Sequence, residues 1–199
     1  MTSTQDRPRV VFPKDWTFDL DNDMVDQLKD EFAPDDTVEE LARKLEDHSG
    51  SEAQKLAEAF FDDYGKRWMN RTLELGDRYR DRTYETLLAA AESTGELAFP
   101  LVPERFIEIA YLSTQSIYSL PIVENFRHKF SFRMVFCDTI SALRDTCGDE
   151  LADGLPCRRG CLAAVECAFT GNGFDVEVSQ DASIIDGEYC QFSVVRRDA

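Results

Sequence analysis

The chain has 199 residues, enough for one well-packed domain with its own core. Its 39 acidic side chains outnumber 22 lysines and arginines, and the resulting net charge of −17 repels nucleic acid and anionic membrane, so neither is an expected partner. No apolar run is long enough to span a membrane, and the N-terminus lacks the apolar segment of a secretory leader, so the protein is expected in the cytoplasm.

Residues 1–20 read as an arm, with Phe12, Trp16 and Phe18 placed to pin it to the body. Asp19 to Phe32 predicts a short helix with Met24, Val25 and Leu28 inward, broken by Pro34. Thr37-Val38-Glu39-Glu40 reads as a capping box opening a second helix, with Val38, Leu41 and Leu45 on one face. Ser51 is the expected cap of the longest helix, roughly residues 52–93. Leu56, Phe60, Tyr64, Trp68, Leu75 and Tyr79 recur along it at near-helical spacing, and Gly65 and Gly76 mark points of bending or close packing. Pro103 opens a short buried helix through the apolar run Phe106 to Leu112.

From Phe126 to Phe136 the period changes to two, which predicts a strand with His128 on its inward face. Asp138 is the expected cap of a helix to Cys147, stopped by Gly148. Another helix should span Pro156 to Phe169. Two strands follow, Phe174 to Ser179 and Glu188 to Val195, joined through the hairpin signal Asp186-Gly187. The expected fold class is α+β: a helical N-terminal half, then a β-α-α-β-β antiparallel sheet layer covered on one face by helices. Residues 1–50 would be an arm with short helices, and residues 51–199 a single domain.

All six cysteines fall in the last third: Cys137, Cys147, Cys157, Cys161, Cys167 and Cys190. A cytoplasmic chain of this size keeps thiols reduced, so core packing is the first reading of each. Cys157 and Cys161, four apart on a helix, share a face and could hold a soft metal such as zinc or act as nucleophiles with Arg158 and Arg159 lowering a thiol pKa. Cys190 could close on them from the last strand. Of the two histidines, His48 reads as a solvated helix end and His128 as a core residue or general base. Tyr64, Trp68 and Tyr79 are candidates to line an apolar pocket where the long helix meets the sheet. No phosphate loop, dinucleotide fingerprint or Gly-x-Ser-x-Gly elbow occurs. The lysine-poor, aspartate-rich surface resembles that of proteins from salt-loving organisms.

Phe136-Cys137, the following helix, Gly148-Asp149-Glu150-Leu151, Cys157 and the closing Asp186-Gly187-Glu188-Tyr189-Cys190-Gln191-Phe192 resemble the L-2-amino-thiazoline-4-carboxylic acid hydrolase family and the related vinyl-reductase-type ligand-binding domains. The resemblance implies hydrolysis of a non-peptide C–N bond of a cyclic amidine, with Cys157 or Cys161 as thiolate and His128 or Glu177 moving the proton. Its alternative is a non-catalytic sensor module binding a hydrophobic small molecule. It also implies a zinc site, with Cys157 and Cys190 as outer ligands and Glu177 and Asp181 in place of the inner ones. A small-molecule ligand or substrate is the expected partner, and monomer and homodimer both remain open.

Overall fold

The computed structural model describes residues 22–80, 82–95 and 97–198, so the aromatic arm lies outside the described residues. The order is α1 (Asn22–Glu31), α2 (Pro34–Leu45), α3 (Gly50–Arg78), α4 (Arg82–Thr94), α5 (Ala98–Thr114), β1 (Ile122–Asn125), β2 (Lys129–Met134), α6 (Asp138–Cys147), α7 (Asp149–Gly154), α8 (Arg158–Thr170), β3 (Val176–Ala182) and β4 (Cys190–Arg196). This is an α+β protein with helices in the N-terminal half and a four-stranded antiparallel sheet ordered β1-β2-β4-β3.

Several boundaries follow from local chemistry. Pro34 separates α1 from α2 as expected, but it does so by opening α2, where a missing N–H costs nothing. Thr37 is therefore inside the first turn, and its hydroxyl donates back to the Ala33 carbonyl at 2.9 Å in place of a capping box. The long helix is two helices. It ends at Tyr79, whose N–H still reaches Leu75 O, and the chain restarts at Arg82. The aromatic strand is likewise two strands. Phe126 and Lys129 exchange backbone hydrogen bonds across a tight turn, so the period-two segment begins only at Lys129, and β1 runs back along it.

Period two fixes the two faces of the sheet. Met134, Phe132 and Phe130 on β2 stand opposite Cys190, Phe192 and Val194 on β4 and face the helices. The alternate residues Ser131, Arg133, Gln191 and Ser193 face the other way. There Arg133 donates to Gln191 at 2.8 Å and stacks over Tyr189, with 4.3 Å from guanidinium carbon to ring centroid.

Two hydrophobic clusters build the core. The larger joins the inner sheet face to α1, the distal part of α3, α5 and α8. The smaller joins Val38 and Leu41 of α2, Ala57, Phe60 and Phe61 of α3, and Ile140, Leu143 and Ala152 of α6 and α7. Met24 and Leu28 of α1 sit in the larger cluster, and Val38 and Leu41 of α2 in the smaller. The two halves are clamped where α3 crosses α8. A Cβ on Gly65 would overlap the backbone carbonyl of Gly160, so Gly65 needs a hydrogen as side chain.

Candidate functional site

A cavity of about 410 Å³ opens between the two clusters. Cys137 and Ile184 pack against both clusters and mark the seam. A volume of this size suits a small organic ligand. Its walls come from several elements, among them Cys137 and Ile140 at the start of α6 and Asp153 in α7. α3 supplies Phe61, Tyr64 and Trp68; α5 supplies Tyr111 and Gln115; the sheet supplies Met134, Gln180, Cys190 and Phe192. The start of α8 supplies Cys157, Arg158 and Cys161, and the β3–β4 connection supplies Ile184 and Ile185.

The aromatic wall joins two helices, α3 and α5. Tyr64 stacks on Trp68 with centroids 6.0 Å apart, and Trp68 meets the edge of Tyr111 at 5.0 Å. The Tyr64 hydroxyl donates to Phe32 O at 3.4 Å. The Trp68 indole N–H and the Tyr111 hydroxyl are buried and make no hydrogen bond of regular geometry. Buried polar groups left this way cost roughly 1–3 kcal/mol each.

The start of α6 is held against the end of α5. The Gln115 side-chain oxygen accepts the Asp138 N–H at 2.9 Å, and the Ser116 N–H donates to the Asp138 carboxylate. Asp138 therefore ties two elements together, and Cys137 occupies the cap position in its place. This clamp sets the Cys137 thiol into the wall.

Four thiols line the cavity: Cys137, Cys157, Cys161 and Cys190. Burial holds them protonated. It pushes the Cys137 thiol up to about 11 and the Cys157 thiol up to about 12. Cys161 is raised well above the ordinary thiol value, and Cys190 is raised too, again by burial first. The Arg158 amide acts on Cys157 in the opposite direction but is outweighed. Desolvation thus outweighs the lowering of the thiol pKa expected from the Cys157-Arg158-Arg159 run. Cys147 and Cys167 do not line this cavity.

Of the other candidates, Tyr64 and Trp68 are in the wall and Tyr79 is not. Tyr79 ends α3 at its far end, where its hydroxyl accepts from Gln27 at 3.0 Å. His128 is exposed in the β1–β2 turn, its ring stacked on Phe126 at 6.2 Å, and it takes no part in the cavity. The inward placement fails because the strand starts one residue later.

The zinc ligands do not assemble. Glu177 and Asp181 alternate with Val178 and Gln180 on β3, so they lie on the sheet face opposite Cys190. Asp181 accepts from Ser179 at 2.9 Å and from Ser193. Among the described residues no three His, Cys, Asp or Glu side chains are placed to hold one metal ion. These residues do not fit the implied zinc site.

Sequence reasoning missed Tyr111, Gln115 and Gln180 as wall residues. Tyr111 lies in an apolar run read as plain core, and no sequence signal separates a core tyrosine from one bordering a cavity.

The fold and the cavity together define a helix-covered antiparallel sheet protein with an aromatic and thiol-walled pocket. No protein-family model matches the chain, and no match was found among curated proteins or solved structures. No helix among the described residues is long and apolar enough to cross a membrane.

Proposed function

We propose that the protein binds a small, largely apolar aromatic molecule in this cavity and acts as a binding or sensing module. The observation that carries the reading is the hollow between two otherwise closed clusters, walled by aromatics and bordered by Trp68, whose buried indole N–H has no partner. That group favours a ligand with a hydrogen-bond acceptor on an apolar body. Hydrolysis of a C–N bond is supported less well. The wall thiols are held protonated by burial, His128 is outside the cavity, and Glu177 faces away from it.

The test is a thermal-shift series with aromatic ketones, amides and their hydrocarbon analogues. At a hundred times Kd, a ligand adds about 2.7 kcal/mol to stability. Trp68→Phe keeps the ring stack and removes the N–H. It should reduce the shift given by acceptor-bearing ligands and leave that of the hydrocarbons. Equal shifts for wild type and variant with every compound, or no shift at all, would sink the reading.

A further inference from the structure

Gln115 stands where α5 ends, and it lines the cavity. The residue is only 9 % exposed. Its amide can face only one way. The Asp138 N–H donates to the side-chain oxygen at 2.9 Å, and an amide nitrogen turned to that place would set donor against donor. The Asp138 carboxylate in turn accepts the Ser116 N–H, so the next residue of the chain is held by the same group. The amide oxygen is therefore engaged, while the Nε2 donors have no partner among the described residues. A buried amide fixed in this way presents donors to the space it borders.

A second N–H lies near it. The Gln115 backbone N–H reaches Tyr111 O at 2.9 Å, which sets Gln115 one helical turn beyond Tyr111. Tyr111 meets Trp68 at 5.0 Å, and the Trp68 indole N–H is buried without a partner. Both groups call for an acceptor.

The charges around the cavity decide what kind of acceptor. Its charged lining residues are Glu58, Asp153, Asp186 and Arg158. Asp153 is paired with Arg144 at 2.8 Å. Glu58, Asp186 and Arg158 are exposed, so two carboxylates face one guanidinium, on a chain of net charge −17. An anionic ligand would be repelled on approach and then desolvated with no buried cation in the lining to meet it. A neutral carbonyl oxygen meets neither penalty and accepts from an N–H.

We infer that Gln115 determines the specificity of this cavity, and that the ligand is a neutral carbonyl compound whose ketone or amide oxygen accepts from Gln115 Nε2. The inference rests on the reading of the cavity as a binding site, and adds the residue and the functional group it reads. A hydrocarbon of the same shape would leave the Gln115 donors buried and unpaired.

The test measures Kd on the full chain for benzophenone, diphenylmethane and diphenylacetate, which share a body and differ in the group it carries. Wild type should bind the ketone at least about fivefold more tightly than either of the others. The carbonyl stretch of bound benzophenone should fall below its value in hexane, as hydrogen bonding to the oxygen requires. Gln115→Met keeps the length of the side chain and removes the amide. It should erase most of the ketone's advantage, return the stretch toward the hexane value and leave diphenylmethane binding as in wild type. Equal weakening of ketone and hydrocarbon by the variant would mean a structural role only, and overturns the inference. The wild-type arms need no variant to fold. Equal binding of ketone and hydrocarbon overturns the inference and leaves the binding reading standing. Tightest binding of diphenylacetate does the same, and would move recognition to Arg158. Binding of none of the three overturns both.

Discussion

The middle and the C-terminal end of α3 carry the same kind of residue and do different things. The helix is about 43 Å long, from its 29 residues at 1.5 Å each. At its middle, Tyr64 and Trp68 border a hollow of about 410 Å³. Toward its C-terminal end, Gly76 and Tyr79 close on Tyr84 and Phe106, leaving about 10 Å³, no more than one water needs. Each region has a glycine at the tight contact. Gly65 meets the backbone of α8, whereas Gly76 meets the ring of Phe106. The lesson is that an apolar stripe specifies burial, and what the stripe meets decides whether it fills a core or lines a site.

The largest effect should come from adding a methyl at these two glycines. Gly65→Ala forces a Cβ onto the Gly160 carbonyl, and backbone cannot swing aside, so a loss above about 3 kcal/mol is expected from overpacking. Gly76→Ala brings its Cβ within 2.5 Å of Phe106 Cε1, an atom at the far end of a side chain, and should cost only about 1–2 kcal/mol. Urea unfolding midpoints measure both. Equal losses would break the comparison.

A smaller effect sits on α5, which borders both regions. Burial, helped by neighbouring Glu108, raises Glu104 to about 7, while Asn125 donates to it at 2.8 Å. The folded state therefore holds this proton more tightly than the unfolded chain. Its contribution to stability is complete below the ordinary glutamate pKa near 4.3 and is lost as pH rises through about 7. Glu104→Gln should flatten that decline and add about 1 kcal/mol at pH 8, discounted because the group is partly solvated. Denaturation at pH 5 and pH 8 tests it. An unchanged pH slope in the variant would assign the decline elsewhere.

The smallest effect separates the two aromatics by role. Tyr79→Phe removes the Gln27 hydrogen bond and should cost about 0.5–1 kcal/mol while leaving ligand shifts at the cavity untouched. If Tyr79→Phe altered those shifts, the closed end would not be closed.

Much of this architecture was legible in the residues. Helical spacing through Leu56 to Tyr79, the stop at Gly148 and the Asp186-Gly187 hairpin placed most elements and the α+β class, because periodicity and turn chemistry act over a few residues. What failed was also local in appearance. The break between α3 and α4 carries no proline, and β1 is four residues long with no strong pattern of its own. His128 looked inward because alternation was extended three residues beyond the strand. Glu177 and Asp181 looked available to Cys190 because sequence distance does not say which face of a strand a residue takes.

The sequence by itself determined the elements, the acidic surface and a concentration of thiols in the last third. Only the tertiary structure decided that four of the six thiols share one cavity and that Tyr111 completes its wall. The physical reason is that a cavity is the volume left when separate elements meet. α3, α5, α8 and the sheet each bury an ordinary apolar face, and the hollow exists only in their mismatch at the seam.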